Sequence, residues 1–361
     1  MSNELDAVIS TWFVSDDPEH ASFFPQIGGS SETTEAKAIY WRCILCFFAS
    51  SIAVNPRNTH VLFTNSKLPI VDGVDVAQAF DQWQVRVVHL PISYRLPRGR
   101  VEAWGNQFYI FDVIKYLAEF CENECYLVLD SDCVWVRPVT ELAKAIGQHG
   151  VLTYLINDRE HPEAEPINGL SRQGMARFLG SVGGRPRDSI PYCGGEIFAA
   201  TRDETKRLAG QIDRVWAHVL ADGKDTPKEE AHLLSILYAM NEYEVGTANS
   251  FIKRIWTTFK RNNVEASDVD LTIWHLPSEK MFGFRRLFRK LVTGRHNYRD
   301  PAALGFRPDV YGLTMGLPRR SASKLVRDIS AKLLQRLYSL DTATKRLRAG
   351  VSIWNKSRTS R

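Results

Sequence analysis

What this chain has little of narrows the field first. Six cysteines in 361 residues are too few for a disulfide-built scaffold. Cys43 and Cys46 form one CxxC, but it falls within a predicted helix and has no second pair to complete a zinc site. Together with Cys121, Cys125, Cys133 and Cys193 they read as small buried hydrophobes. No run reaches the roughly 18 uninterrupted apolar residues of a membrane span. The best candidate, YWRCILCFFASSIAV from Tyr40, is shorter, carries Arg42 and reads as a buried helix. MSNELDAVISTWFV at the start has no basic segment ahead of its apolar run and no small-residue cleavage site, so no secretory signal is expected and the cytoplasm is the expected location. Internal repeats and low-complexity tracts are also missing.

Acidic charge is scarce in one place only. Of 46 Lys+Arg and 41 Asp+Glu, the stretch from Met281 onward holds 19 and 4, leaving 27 and 37 for residues 1–280. A basic tail on an acidic body points to a polyanion as partner of the tail, anionic lipid or nucleic acid.

Strand and helix patterns then take turns. Ala7 to Val14 is a predicted strand, residues 35–54 a helix, HVLFTN a strand, Val76 to Trp83 a short helix and VRVVHL a strand. After the loop PISYRLPRGR come an amphipathic helix from about Glu102 to Phe120 and the strand ECYLVLD. Beyond Gly150 follow a strand VLTYLI, the segment PYCGGEIFAAT, helices near 203–220 and 227–240, and DLTIWHLPSEK. The alternation predicts an α/β fold, Rossmann-like, with a doubly wound and mainly parallel sheet covered by helices on both faces. Ligands of such sheets sit at the carboxyl ends of the strands.

At one of those ends stand two carboxylates. In YLVLDSDCVWVRP, Asp130 and Asp132 close an apolar strand, and residues two apart in extended chain point the same way. Two such charges repel unless a cation lies between them, and an oxygen-preferring divalent ion, Mg2+ or Mn2+, suits the pair together with phosphate oxygens. The plainer reading is a strand-end turn with one aspartate capping the helix that begins near Val139.

Tyr109–Leu142, YIFDVIKYLAEFCENECYLVLDSDCVWVRPVTEL, resembles the core of GT-A fold glycosyltransferases, most closely the group that contains glycogenin and bacterial galactosyltransferases. The order of elements is similar over residues 5–285. The resemblance implies that Asp132 holds Mn2+ or Mg2+, that Asp130 touches metal and ribose, and that the donor is a nucleotide sugar of the UDP-sugar type. It implies a third ligand near the end of the catalytic domain, a histidine followed by a lysine; IWHLPSEKMF supplies His275 and Lys280, one residue closer than that group's spacing and without its glycine. It also places Thr11 and Trp12 at the base and ribose, Asn65 at the end of the second strand, and Lys115 toward the donor. In PYCGGEIF it implies backbone approach to the sugar at Gly194 and Gly195, and hydrogen bonding or base catalysis by Glu196; Glu229 and Glu230 are its acceptor-side acids.

These readings make residues 1–285 a GT-A catalytic domain, with a nucleotide-binding half (1–137) and an acceptor half (138–285), and residues 286–361 a basic helical appendage. The expected activity is metal-dependent transfer of a sugar to a glycan or lipid-linked acceptor. Whether the anomeric centre is inverted, with Glu196 or Glu230 as base, or retained stays open. In the tail, MFGFRRLFRKL interleaves aromatics with cations, and Leu325, Ile329, Leu333, Leu337 and Leu340 share one stripe with Lys324, Arg327 and Lys332 at its margins or opposite. That pattern suits an anionic membrane surface or docking on the domain, and no specific nucleic acid is expected. A sugar nucleotidyltransferase is the nearest alternative enzyme, but it needs a Gly-rich basic loop where this chain has SDDPEHASFF. A non-enzymatic membrane- or nucleic-acid-binding protein would leave Asp130, Asp132 and His275 without a role.

Overall fold

The computed structural model describes residues 6–16, 20–97, 100, 104–156, 162–221, 226–240, 245–258, 261–293, 300–301, 307–319, 321–330 and 333. The strands that build the site are β1 (Ala7–Phe13), β2 (Thr59–Thr64), β3 (Arg86–His89), β4 (Cys125–Leu129), β5 (Cys133–Trp135), β6 (Val151–Leu155), β7 (Cys193–Thr201), β8 (Gly246–Thr247), β9 (Ile252–Arg254) and β10 (Ile273–His275). Seven of them form the central sheet in the order β8-β6-β7-β4-β1-β2-β3. All neighbours are parallel except β7, which runs against both β6 and β4. The chain moves outward from β1 to β2 and β3 and then returns to the other side of β1 as β4. The switch point of this α/β sheet therefore lies between β1 and β4, where their carboxyl ends leave a crevice.

Side chains along these strands alternate between two cores, as pleated backbone requires. Ile9, Leu62, Leu127 and Leu129 face a core shared with helix α1 (Thr34–Val54). Val8, Val61, Phe63, Tyr126 and Val128 face the other, shared with α3 (Ile110–Phe120) and α6 (Arg202–Leu220). The remaining helices are α2 (Val76–Gln82), α4 (Thr140–His149), α5 (Arg172–Ser181), α7 (Glu230–Ala239), α8 (Gly283–Leu291) and α9 (Pro308–Met315), with residues 322–330 also helical.

α1 is long and apolar enough, by length and composition, to cross a membrane. Here it is buried on nearly every side, which suits a helix that is hydrophobic all round. Thr33 caps its start by accepting from the amide of Ala36. Phe47 and Phe48 meet Phe284, Leu287 and Phe288 in one core, and burying each such side chain contributes roughly 1.5–3 kcal/mol. The division expected at residue 285 thus falls inside α8, and the core of the body continues through it to Met315 and Leu317. All six cysteines are buried free thiols.

Two expectations shift. The amphipathic helix starts at Ile110, after a 3-10 turn over Gln107–Tyr109, rather than near Glu102. Trp104 has φ of +54°, which no right-handed helix tolerates. The C-terminal stripe is also turned around. Lys324 and Asp328 are buried, whereas Val326, Ile329 and Leu333 are exposed. Leu337, Leu340 and Lys332 lie outside the described residues.

Candidate metal centre

A second, three-stranded sheet carries the site. Cys133 follows directly on the aspartates, and β5 pairs antiparallel with β10, setting Cys133 opposite His275. β9 pairs with β10 in parallel, setting Arg254 beside His275. Backbone hydrogen bonds lock the junction: the amide of Leu276 donates to the carbonyl of Asp132 at 3.0 Å, and the amide of Asp130 to the carbonyl of Glu196 at 3.1 Å.

These registers gather three ligand types. His275 Nε2 lies 3.4 Å from Asp130 Oδ2 and 3.3 Å from Asp132 Oδ2. One atom from each of the three residues falls within 4.8 Å of the others. Donors adjacent in an octahedron with 2.0–2.1 Å bonds sit about 3 Å apart, so this spacing fits Mg2+ or a similar ion with little movement. Lys280 Nζ is 3.2 Å from Asp132 Oδ2 and stands 5.1 Å from the centre of the Tyr40 ring. These are ionic approaches rather than aligned hydrogen bonds: both oxygens of Asp132 and both ring nitrogens of His275 are buried without a hydrogen-bond partner. Buried polar atoms left that way are costly, and a bound cation would satisfy the carboxylate oxygens and the imidazole together.

The electrostatics agree. Burial, with Asp132 next to it, pushes Asp130 up to about 6. Burial works on Asp132 in the same sense, but Lys280 and His275 outweigh it and hold this carboxyl well below the usual range. His275 is driven down by burial and up, more strongly, by Asp132 and Glu196, ending at about 9. Without a metal the imidazolium and the Lys280 ammonium neutralise the aspartates. His275 would have to give up its proton to hold a metal here.

Glu196 sits behind the histidine, its Oε1 3.6 Å from Nδ1. Arg254 holds it in a two-pronged pair, Nε donating to Oε1 at 2.9 Å and Nη2 to Oε2 at 2.7 Å. Burial raises this carboxyl, Arg254 more than reverses that, and it settles at about 2. A carboxylate so clamped is an orienting group for His275 and a poor base. Sequence reasoning passed over Arg254 altogether; its visible signal is a pair of cations, Lys253 and Arg254, set between the apolar residues of IKRIW.

Glu230 has the contrasting environment. It opens α7 beside the cleft, its Oε2 is buried without a partner, and burial together with Glu229 raises it well above the usual range. Glu229 turns away, accepting from the Tyr192 hydroxyl and, at 2.6 Å, from Asn168 Nδ2. The two glycines of β7 make room for these acids. A Cβ on Gly195 would lie 2.2 Å from Glu230 Oε1, and one on Gly194 would lie 2.1 Å from Glu196 Oε2. Gly195 lines the cleft, and the space beside Gly194 is already filled by Glu196 and Tyr154.

One cleft holds most of the expected residues: Trp12, Asp130, Asp132, Gly195, Glu196, Glu230, His275 and Lys280. Three others serve elsewhere. Thr11 is buried and donates to the Leu129 carbonyl at 2.8 Å, joining β1 to β4 just beneath the aspartates. Asn65 brackets the backbone of Ser15, accepting from its amide at 2.8 Å and donating to its carbonyl at 3.0 Å. Lys115 pairs with Asp213 at 2.7 Å on the outer side of α3. The cleft adds residues not foreseen, among them Lys37, Tyr40, Trp104 and Trp256. Neither the protein-family models nor the curated proteins give a match to this chain.

Proposed function

We propose that this protein is a metal-dependent glycosyltransferase of the GT-A type, moving a sugar from a nucleoside-diphosphate donor to a hydroxyl acceptor. The observation that supports it most is the convergence of Asp130, Asp132 and His275 at the switch-point crevice of an α/β sheet, with the Lys280 ammonium against the same carboxylate. When bound there, Mg2+ or Mn2+ supplies charge neutralisation of the donor diphosphate. The protein's own groups do the rest. Lys280 offers a second cation to the leaving diphosphate. Trp12, tilted against Tyr109 with ring centroids 6.0 Å apart, offers an aromatic edge where β1 ends. Glu230, whose carboxyl is held above the usual range by burial and whose Oε2 has no hydrogen-bond partner, is placed to hydrogen-bond a sugar hydroxyl, while Glu196 and Arg254 fix the ring of His275.

Thermal unfolding with nucleoside diphosphates tests the reading. In the presence of Mn2+, a diphosphate at one hundred times its dissociation constant adds about 2.7 kcal/mol of stability. The effect weakens as pH falls below about 9, because the proton on His275 then competes with the metal. No metal-dependent shift with UDP, GDP or ADP at any pH removes the proposal.

The tail supports a lipid contact. Val326, Ile329 and Leu333 are 62%, 49% and 56% exposed, Arg327 beside them is exposed, and so are Arg285 and Arg289 on α8. Apolar residues flanked by cations suit an anionic bilayer and, with it, a lipid-linked acceptor at the cytoplasmic face. The full chain is expected to float with vesicles containing phosphatidylglycerol and to stay behind with pure phosphatidylcholine. Equal recovery with both would remove the lipid contact and leave the enzyme reading standing.

A further inference from the structure

The helix over residues 322–330 is built against the usual sense: it buries a lysine and an aspartate and exposes Val326 and Ile329. Lys324 is fully buried, its Nζ 2.7 Å from Glu279 Oε1 and 2.7 Å from Asp328 Oδ2. Arg286 of α8 reaches the other oxygen of Asp328 at 3.0 Å. The hydroxyl of Thr257, three residues past β9, also donates to Glu279 Oε1. Two cations and two carboxylates are thus enclosed beside the loop that leaves β10.

Two glycines show how closely this cluster is fitted. A Cβ on Gly283 would stand 2.3 Å from Glu279 Oε2. A Cβ on Gly316 would stand 3.1 Å from both Cδ and Cε of Lys324, and the φ of +94° at Gly316 already favours glycine.

An enclosed ion cluster is an inefficient way to stabilise a fold, because desolvating its members offsets most of their attraction. Turning the helix so that Val326 and Ile329 faced inward would bury more apolar surface. What the cluster does provide is a fixed position for Glu279, the residue immediately before Lys280 in the short 3-10 turn Pro277–Glu279. We infer that Lys324 is a positioning residue for Lys280: the C-terminal segment reaches into the body and holds the lysine that meets the donor diphosphate. The inference rests on the donor reading above. It makes donor binding and docking of the C-terminal segment mutually reinforcing, since coupling between two sites is reciprocal.

The test measures Mn2+-dependent binding of UDP, GDP and ADP by calorimetry on the full chain, well below each variant's unfolding midpoint. Lys280→Met, Lys324→Met and the double variant are compared with wild type, and Glu279→Gln takes the place of Lys324→Met if that variant does not fold. Lys324→Met is expected to weaken the best nucleotide about tenfold or more, and the double variant to bind no worse than Lys280→Met alone, because a residue acting through another adds nothing once the other is gone. Unchanged affinity in folded Lys324→Met, or losses that add in the double variant, overturns the inference and leaves the donor reading intact. A wild-type chain that binds none of the three nucleotides with Mn2+ overturns both.

Discussion

Asp132→Asn is expected to abolish metal-dependent hydrolysis of nucleotide sugars, lowering the rate by at least about a thousandfold, some 4 kcal/mol of transition-state stabilisation. The substitution keeps the shape of the side chain and removes its charge. Asp132 is 1% exposed and faces both His275 and Lys280, so its charge is the one both cations meet. The histidine loses the partner that holds its proton and the lysine loses its counter-ion, which leaves Lys280 an enclosed cation. Asp130→Asn should be milder, because its side chain is 35% exposed and partial burial, with Asp132 beside it, already pushes its carboxyl up, weakening its charge. Initial rates with Mn2+ across a panel of nucleotide sugars decide the matter. If Asp132→Asn retains wild-type metal-dependent turnover, the aspartate pair is not the metal site.

The second large effect concerns stability. Replacing Arg254 with leucine strands Glu196, whose side chain is 0% exposed and whose two oxygens both depend on that guanidinium. Breaking a buried pair from one side costs about 3–5 kcal/mol. The lower end applies here, because Arg254 is itself 30% exposed and partly screened. The sign with pH follows. In the wild type, Glu196 is held at about 2, so its contribution is present above the unfolded carboxyl value of roughly 4.3 and is lost as pH falls toward 2. In the variant burial is opposed by His275 without the guanidinium, the carboxyl rises, and the penalty appears above that same unfolded value. Urea unfolding should therefore show a larger loss at pH 7.5 than at pH 4.5, and Glu196→Leu added to Arg254→Leu should recover much of it. Equal losses at the two pH values would show that the pair contributes by packing and not by charge.

The parts of this molecule that could be read from sequence are those governed by local pattern. The apolar runs of β1, β2 and β4 and the two aspartates closing β4 announce a sheet crevice, since strand period and a charge at a strand end are both short-range signals. Arg254 was not legible because its role depends on β9 pairing with β10, and that register is set by packing between segments distant in the chain. Lys115 and Asn65 lie at plausible places along the chain, yet Lys115 points away from the cleft and Asn65 closes a neighbouring loop. Position along an element does not determine direction. The C-terminal helix makes the same point more sharply: periodicity groups Ile329 with Leu333 and Lys324 with Asp328, but cannot say which group turns inward. Here the enclosed carboxylate Glu279 decides it, by drawing the lysine inside.

The burial of α1 has a consequence for how the chain is made. Its Cys46 thiol contacts the carbonyl of Phe284, a partner 238 positions downstream. At 5–20 residues per second, synthesis of the covering helix trails by roughly 10–50 s. Throughout that interval a greasy segment fit to enter a bilayer has emerged without its lid. A nascent chain of this kind has to be shielded, and one terminated ahead of Phe284 would carry that exposed surface permanently.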